Sequence, residues 1–232
     1  MWTAPAVLRR CPRGGTDSST GSIMFELPGA GMHREDYESY AEYLEHQRAG
    51  RLDPKKLEWV QERRRERVDA FAAMFRSLGM SADSACLCIG ARFGEEVEAG
   101  LGCFASCVGV DLVAHPPLVV EGDMHALEFG DGSFDLVYSN VIDHAYDLRR
   151  NFAEMERVLA PGGMVVVDTF FRRRVKKKRR RRGGSLGHYT AIICESAEEV
   201  IRACGLPLER QEAIADGTMV EFGLRERFLF RS

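Results

Sequence analysis

The chain has 232 residues, of which 45% are hydrophobic and 29% are charged, and this composition is typical of a globular protein. The length suits a single α/β domain with a substantial core, or at most two small domains. No stretch approaches the roughly 18 uninterrupted apolar residues of a membrane helix, so we predict no membrane span.

Positive charge is concentrated in one run of the chain. Ten of the eleven residues from Arg172 to Arg182 are Lys or Arg. The whole chain has a net charge of −3, so −13 remains once the +10 of this run is removed. Proteins dedicated to nucleic-acid binding spread positive charge over a folded face, because they must meet many phosphates. A linear basic block on an acidic body argues against that class.

The cysteine content bears on compartment and on metal binding. The sequence contains seven cysteines, which are Cys11, Cys86, Cys88, Cys103, Cys107, Cys194 and Cys204. An odd number without a secretory signal predicts reduced, buried thiols in an intracellular protein that is not secreted, in the cytoplasm or an organelle, with the nucleus left open. The pairs Cys86-x-Cys88 and Cys103-x3-Cys107 lack the CxxC spacing of zinc modules, so we expect no metal site.

The first 80 residues divide into two predicted parts. Residues 1–31 open with an Arg-containing, acid-poor stretch, which is typical either of an organelle transit peptide or of a disordered tail. Residues 32–80 are predicted to be a helical segment, because apolar side chains recur at helical spacing from Met32 to Gly79. Asp53-Pro54 is a typical helix start and predicts a second helix from that point.

From residue 81 onward, short apolar runs alternate with helical patterns. The predicted strands are Ala85–Ala91, Ala105–Leu112, the run PPLVVEGD, Ser133–Asn140 and Met164–Phe170. An amphipathic helix capped by Asp147 precedes the fifth strand, and Asp216-Gly217 predicts a terminal hairpin. The alternation predicts an α/β fold with a doubly wound, mostly parallel seven-stranded sheet and a C-terminal antiparallel hairpin, in one domain over residues 81–232.

Polar residues follow four of the predicted strands, at the edge where parallel sheets bind ligands. They are the Gly90–Gly94 turn, Asp111, Asp123 and Ser139-Asn140. A glycine turn lets a ligand approach the backbone, and the helix that follows offers free N–H groups. An acid about twenty residues after such a turn can accept two hydrogen bonds from a ribose diol. We therefore predict a ligand that contains a nucleoside.

The stretch EGDMHALEFGDGSFDLVYSNVIDHAYDLRRNFAEMERVLAPGGMVVVD carries a family resemblance. With its GSFDLV strand and its RVLAPGG turn, it resembles the class I S-adenosylmethionine-dependent methyltransferases, of the small-molecule type with a single Rossmann-like domain. The resemblance covers about Ala85 to Phe170. It implies S-adenosylmethionine as the cofactor and methyl transfer as the activity.

The resemblance also implies the positions of a cofactor site. Its residues are Gly90, Ala91, Arg92 and Gly94 beside the methionine part, Asp111 on the ribose hydroxyls, Leu112, Asp123 and Met124 on the adenine, and Asn140 at the entrance to the reacting centre. No metal ligand is implied.

The acceptor side of the site follows the fourth predicted strand, where the family lines it. Asp143, His144 and Tyr146 occupy that segment. His144 is the candidate general base, because the ordinary pKa of histidine lies near neutral pH. The alternative is that His144 only caps or packs.

Two residues depart from the family pattern. Cys88 stands where an acid is expected in the first strand, and Arg92 stands where the middle glycine of the turn is expected. Arg92 adds a side chain where ligand and backbone should be close. It either pairs with the carboxylate of the cofactor or fills the site, and we expect cofactor binding to be retained because the other positions match.

The sequence favours methyl transfer to a small molecule and leaves two alternatives open. One is a catalytically silent binding or scaffold module with the same fold. The other is a methyltransferase for RNA or protein, recruited through the basic loop at residues 172–184. Enzymes acting on base nitrogens often carry an Asn/Asp-Pro-Pro-Tyr/Phe run, whereas this chain has Ser139-Asn140-Val141-Ile142. The basic loop is either a solubilising insert, a nuclear-import or RNA contact, or an attractor for an anionic substrate.

Overall fold

The computed structural model describes residues 33–34, 37–51, 54–171, 191–214 and 224–232. The tail predicted for residues 1–31, the basic loop at residues 172–184 and the Asp216-Gly217 turn lie outside the described residues. The α-helices are α1 Tyr40–Arg51, α2 Pro54–Ser77, α3 Glu95–Leu101, α4 Leu148–Val158 and α5 Ala197–Ala203, and a 3-10 helix spans Ile142–His144. The strands are β1 His33–Arg34, β2 Ala85–Ile89, β3 Ser106–Asp111, β4 Val119–Glu121, β5 Phe134–Ser139, β6 Leu159–Phe171, β7 Ile192–Ile193, β8 Leu208–Ala213 and β9 Leu224–Arg231.

The main sheet has seven strands in the order β4-β3-β2-β5-β6-β9-β8. The five strands from β4 to β6 run parallel to one another, whereas β9 is antiparallel to both β6 and β8. The predicted fold class, a mostly parallel sheet ended by an antiparallel hairpin, is confirmed. The strand order reverses between β2 and β5, which is where open α/β sheets bind their ligands.

Helices cover both faces of this sheet. One core packs α4 and α5 against the sheet through Phe152 and Val200, and the other packs α2 and α3 through Phe75 and Val97. The Asp147 carboxylate accepts a hydrogen bond from the Arg150 N–H at 3.0 Å, so the predicted cap of α4 is confirmed. Among the described residues, no helix is both long and apolar enough to cross a membrane.

Two boundaries differ from the sequence prediction. His33–Arg34 lies within the segment predicted to be helical, but it pairs antiparallel with Ile192–Ile193, so a long-range contact overrides the local pattern there. The strand predicted from Met164 begins at Leu159, because the Pro161-Gly162-Gly163 turn is absorbed into β6 by a register shift against β5. A Cβ at Gly163 would lie 2.8 Å from the Ala160 carbonyl oxygen, so only glycine fits in this irregularity.

A buried ion pair joins β6 to the terminal hairpin. Asp168 and Arg227 are directly opposite each other in the β6–β9 register, and both side chains are almost fully buried. The guanidinium donates to both carboxylate oxygens at 2.6 and 2.7 Å, and the Tyr138 hydroxyl donates to the same carboxylate at 2.9 Å. Burial, together with the nearby Asp168 charge, raises the pKa of Tyr138 well above its usual range.

Arg227→Met is expected to lower the free energy of unfolding by about 3–5 kcal/mol, because it leaves the Asp168 carboxylate charged and without its cation in the core. The double variant Asp168→Leu/Arg227→Met should recover most of that loss, since it removes both charges together. Urea unfolding followed by circular dichroism measures both. A single variant as stable as the unmodified chain would contradict this account.

Candidate active site at the carboxyl edge of the sheet

The loops after four parallel strands open at one edge of the sheet. Because β2, β3, β4 and β5 are parallel, the segments that follow them lie together, as predicted. A pocket at this edge is lined by Tyr43, Gln47, Ile89, Gly90, Val110, Asp111, Leu112, Gly122, Met124 and His144. The sheet therefore supplies the floor of the pocket, and α1 supplies Tyr43 and Gln47.

The turn after β2 brings its backbone close to neighbouring elements. Gly90 has a φ of 77°, and a Cβ there would lie 2.1 Å from Cγ2 of Val141. Only glycine fits under both conditions. The N–H groups of Gly90 and Ala91 donate to the Val110 carbonyl oxygen at 2.8 and 3.2 Å, which ties the turn to β3.

Arg92 has a left-handed backbone conformation. Its φ is 42°, and it is the one non-glycine residue with positive φ in the described part of the chain. Its N–H donates to Asp111 Oδ2 at 3.0 Å, and Asp111 Oδ1 accepts from the Val113 N–H at 3.4 Å. The hydrogen bond to Asp111 holds this turn in place, at a local cost of about 1–2 kcal/mol for the left-handed conformation.

Cys88, the other departure from the family pattern, packs away from the pocket. Its side chain is fully buried in the core beneath α2 and α3, with its sulfur 4.0 Å from that of Cys86 and 3.8 Å from that of Cys107. Burial raises the pKa of the Cys88 thiol well above its usual range. The predicted buried thiols are confirmed for Cys86, Cys88, Cys107, Cys194 and Cys204, while Cys103 is partly exposed and Cys11 lies outside the described residues.

Asp123 has hydrogen-bond donors at both carboxylate oxygens. Oδ2 accepts from the Tyr40 hydroxyl of α1, and Oδ1 accepts from the N–H of His125 and faces the His125 Nδ1, each at 2.9 Å. Burial acts to raise the pKa of Asp123, but the hydrogen bonds from His125 and Tyr40 outweigh it and hold that pKa at about 2. Burial and the same hydrogen bond raise the pKa of Tyr40 well above its usual range.

His125 connects this carboxylate to the start of α4. Its Nε2 accepts hydrogen bonds from the backbone N–H groups of Tyr146 and Asp147, at 3.1 and 3.2 Å. An acceptor at Nε2 places the ring proton on Nδ1, so Nδ1 donates to Asp123. His125 is nearly fully buried, and nothing in the sequence pattern had drawn attention to it.

His144 lies under α1 and lines the pocket. Its Nδ1 is 2.9 Å from Gln47 Oε1, its carbonyl oxygen accepts from the Tyr43 hydroxyl at 2.9 Å, and its Nε2 lies 3.7 Å from Asp143 Oδ2. Tyr146 packs in an aromatic cluster with Tyr37, Tyr40 and Tyr43. The fold therefore brings the predicted acceptor-side residues to one wall, together with residues of α1 that the sequence reasoning had not assigned.

The residues predicted for the cofactor site and for the acceptor side fall into two groups. Five predicted residues line the pocket directly, namely Gly90, Asp111, Leu112, Met124 and His144. The other predicted residues surround the pocket. Arg92 and Gly94 lie in the turn, Asp123 lies beside His125, and Asn140 lies just after β5. Asp143 and Tyr146 lie near His144, and Ala91 is buried. Ala91 packs into the core beneath α2 and α3 and offers no side-chain surface at the pocket.

Residues 87–167, which include the four strand ends and the Ile142–His144 helix, match a family model described as a methyltransferase domain. This segment therefore resembles a methyltransferase domain. The resemblance to the class I S-adenosylmethionine-dependent methyltransferases is thus confirmed over this segment. No curated protein matches the sequence.

Solved methyltransferase structures share the fold over 70% to 89% of this chain. The 1,6-didemethyltoxoflavin-N1-methyltransferase of Burkholderia thailandensis is 16% identical, with a TM-score of 0.62 over 89% of this chain and 97% of that one. A geranyl diphosphate C-methyltransferase from Streptomyces coelicolor is 17% identical, with a TM-score of 0.55 over 70% and 75%. A methyltransferase from Aquifex aeolicus is 11% identical, with a TM-score of 0.56 over 78% and 98%. At these identities the similarity establishes the fold alone.

The residues at the pocket of this methyltransferase domain suit S-adenosylmethionine. Asp111 provides a carboxylate for a ribose diol, and Leu112 and Met124 provide apolar surface for an adenine ring. Gly90 leaves no side chain between the ligand and the backbone of the turn. Of the two departures from the family pattern, Cys88 packs into the core outside this set, and the Arg92 N–H donates to Asp111.

The backbone conformation of Arg92 gives a stability prediction. In the methyltransferase domain, Arg92→Gly is expected to be more stable than Arg92→Ala by about 1 kcal/mol, because only glycine adopts a φ of 42° without strain. The comparison of Gly with Ala cancels the loss of the arginine side chain. The same pair at Glu128, an exposed residue without positive φ, should show the opposite order. Chemical unfolding of the four variants measures both differences, and equal orders at the two sites would refute the argument.

Proposed function

We propose that this protein transfers the methyl group of S-adenosylmethionine to a small-molecule acceptor. The observation that carries the proposal is the convergence of Gly90, Asp111, Leu112 and Met124 on one pocket of a methyltransferase domain. The structure of the Burkholderia enzyme contains bound 1,6-didemethyltoxoflavin and S-adenosylhomocysteine, which supports a small-molecule acceptor for this fold.

On this proposal the adenosine part of the cofactor lies between β3 and the segment after β4. Asp111 holds the ribose hydroxyls, while Leu112 and Met124 contact the adenine. Asp123 acts on the adenine edge with the lone pairs that remain after its hydrogen bonds to His125 and Tyr40, since a carboxylate offers about four acceptor positions. Gly94 and Arg92 border the methionine part, where the Arg92 guanidinium suits a carboxylate partner.

When bound, the cofactor supplies a methyl group activated by its sulfonium centre. The contribution of the chain is to orient the acceptor and to exclude water. Asn140, at the end of β5, and Tyr146, in the aromatic cluster, form the entrance and wall of the acceptor side in this proposal. His144 takes the proton that the acceptor releases, and Asp143, 3.7 Å from Nε2, stabilises the resulting imidazolium.

Cofactor binding is the first test. Calorimetric titration with S-adenosylhomocysteine should give a saturable signal, and Asp111→Asn should weaken it by about 10- to 100-fold, because it removes a charged hydrogen-bond acceptor. As a control, Asp69→Asn changes an exposed acid on α2 whose carboxylate pairs with Arg65 on the same helix, and it should leave affinity unchanged. Absence of binding at near-millimolar ligand would favour the silent-module alternative over an enzyme.

The role of His144 is tested with labelled methyl groups. Incubation of cell extracts with methyl-labelled S-adenosylmethionine should place the label in the small-molecule fraction, whereas label in RNA or protein would overturn the acceptor class. With the acceptor identified, His144→Ala should lower kcat by about 100-fold or more while cofactor affinity stays unchanged. Unchanged turnover would remove His144 from the mechanism without affecting the assignment of methyl transfer.

A further inference from the structure

We infer that Gln47 is a positioning residue that fixes the ring proton of His144 on Nδ1 and so makes Nε2 the proton acceptor. The inference rests on the proposed function, and it adds a residue of α1 to that reaction. Gln47 lies outside the segment 87–167 that matches the methyltransferase domain.

The contact itself sets the tautomer. Gln47 Oε1 lies 2.9 Å from His144 Nδ1, and the Gln47 side chain is nearly fully buried, with 3% of its surface exposed. An amide oxygen can only accept a hydrogen bond, so Nδ1 must carry the proton. A neutral imidazole has one ring proton, and Nε2 is therefore left with the lone pair that a general base requires.

The rest of the surroundings suit a base at Nε2. Asp143 Oδ2 is 3.7 Å from Nε2, so its negative charge stabilises the imidazolium formed when a proton arrives there. In the transfer step, the acceptor forms its new bond to the methyl carbon, the pair of the broken carbon–sulfur bond stays on sulfur, and the acceptor proton moves to Nε2. Nδ1 keeps its proton throughout, in the hydrogen bond that it donates to Gln47 Oε1.

The same helix also fixes the backbone of His144. Tyr43 lies one turn before Gln47 on α1, and its hydroxyl donates to the His144 carbonyl oxygen at 2.9 Å. Residues four apart share one face of a helix, so a single face of α1 holds both the main chain and the ring of His144. The two contacts have different roles: Tyr43 holds the main chain of His144, and Gln47 selects the tautomer of its ring.

Three variants of the full chain test this assignment. Gln47→Met keeps the size of the side chain and removes the acceptor oxygen, Gln47→Glu keeps an acceptor, and Tyr43→Phe removes the other α1 contact to His144. Side-chain 15N NMR, with the His144 signals identified by their loss in His144→Ala, reports which ring nitrogen is protonated. The unmodified chain, Gln47→Glu and Tyr43→Phe should all show the proton on Nδ1, and Gln47→Met should lose that preference.

The kinetic readout is a fall in kcat. Gln47→Met should lower kcat by about tenfold or more, with KM for cofactor and acceptor nearly unchanged, and Gln47→Glu should restore most of it. A proton on Nε2 in the unmodified chain, or a Gln47→Met protein with unchanged tautomer and kcat, would overturn the inference. The NMR result needs no turnover, so it stands apart from the cofactor titration on which the proposed function depends. If Gln47→Met is unfolded, the 15N signals of the unmodified chain still decide, because a proton on Nε2 there overturns the inference.

Discussion

The imidazole of His125 joins the three parts of the chain that surround the pocket. Two backbone N–H groups, from Tyr146 and Asp147, point at Nε2, while Nδ1 faces the Asp123 carboxylate that Tyr40 also contacts. The segment after β4, the start of α4 and helix α1 therefore meet at one side chain. A proton on Nε2 would remove the acceptor of both N–H groups. These contacts therefore require a neutral ring with its proton on Nδ1.

Helix α1 adds two lining residues to the pocket at the edge of the sheet. The matched domain contributes Asp111, Leu112 and Met124, which suit the part of a ligand that all such enzymes would share. Tyr43 and Gln47 come from α1 and close the pocket on the side of His144. The pocket lining thus combines residues of the sheet and its loops with two residues of a segment that precedes the matched region.

The sequence alone predicted the features that depend on local residue pattern. The buried strands follow from apolar runs such as Ala85–Ile89, and the Asp147 cap follows from its place before an amphipathic helix. It could not reach contacts made at long separation: Tyr40 meets Asp123 across 83 positions, and His144 meets Gln47 across 97. A lone histidine in a loop, such as His125, has no periodicity to reveal it. The short strand His33–Arg34 was missed for the same reason, because its partner Ile192–Ile193 is distant in the chain.

The position of α1 also has a kinetic consequence. Because Tyr43 and Gln47 line the pocket and are both nearly fully buried, a ligand held there would be covered by α1, and its exchange with solvent would involve an outward movement of α1. Each hydrogen bond that holds the helix to Asp123 and His144 contributes on the order of 1 kcal/mol, so such an opening is a local event that leaves the sheet intact. On the proposed function, the rate of product release would then depend on aromatic and amide contacts of one N-terminal helix, which is remote in sequence from the strands proposed to bind the nucleoside.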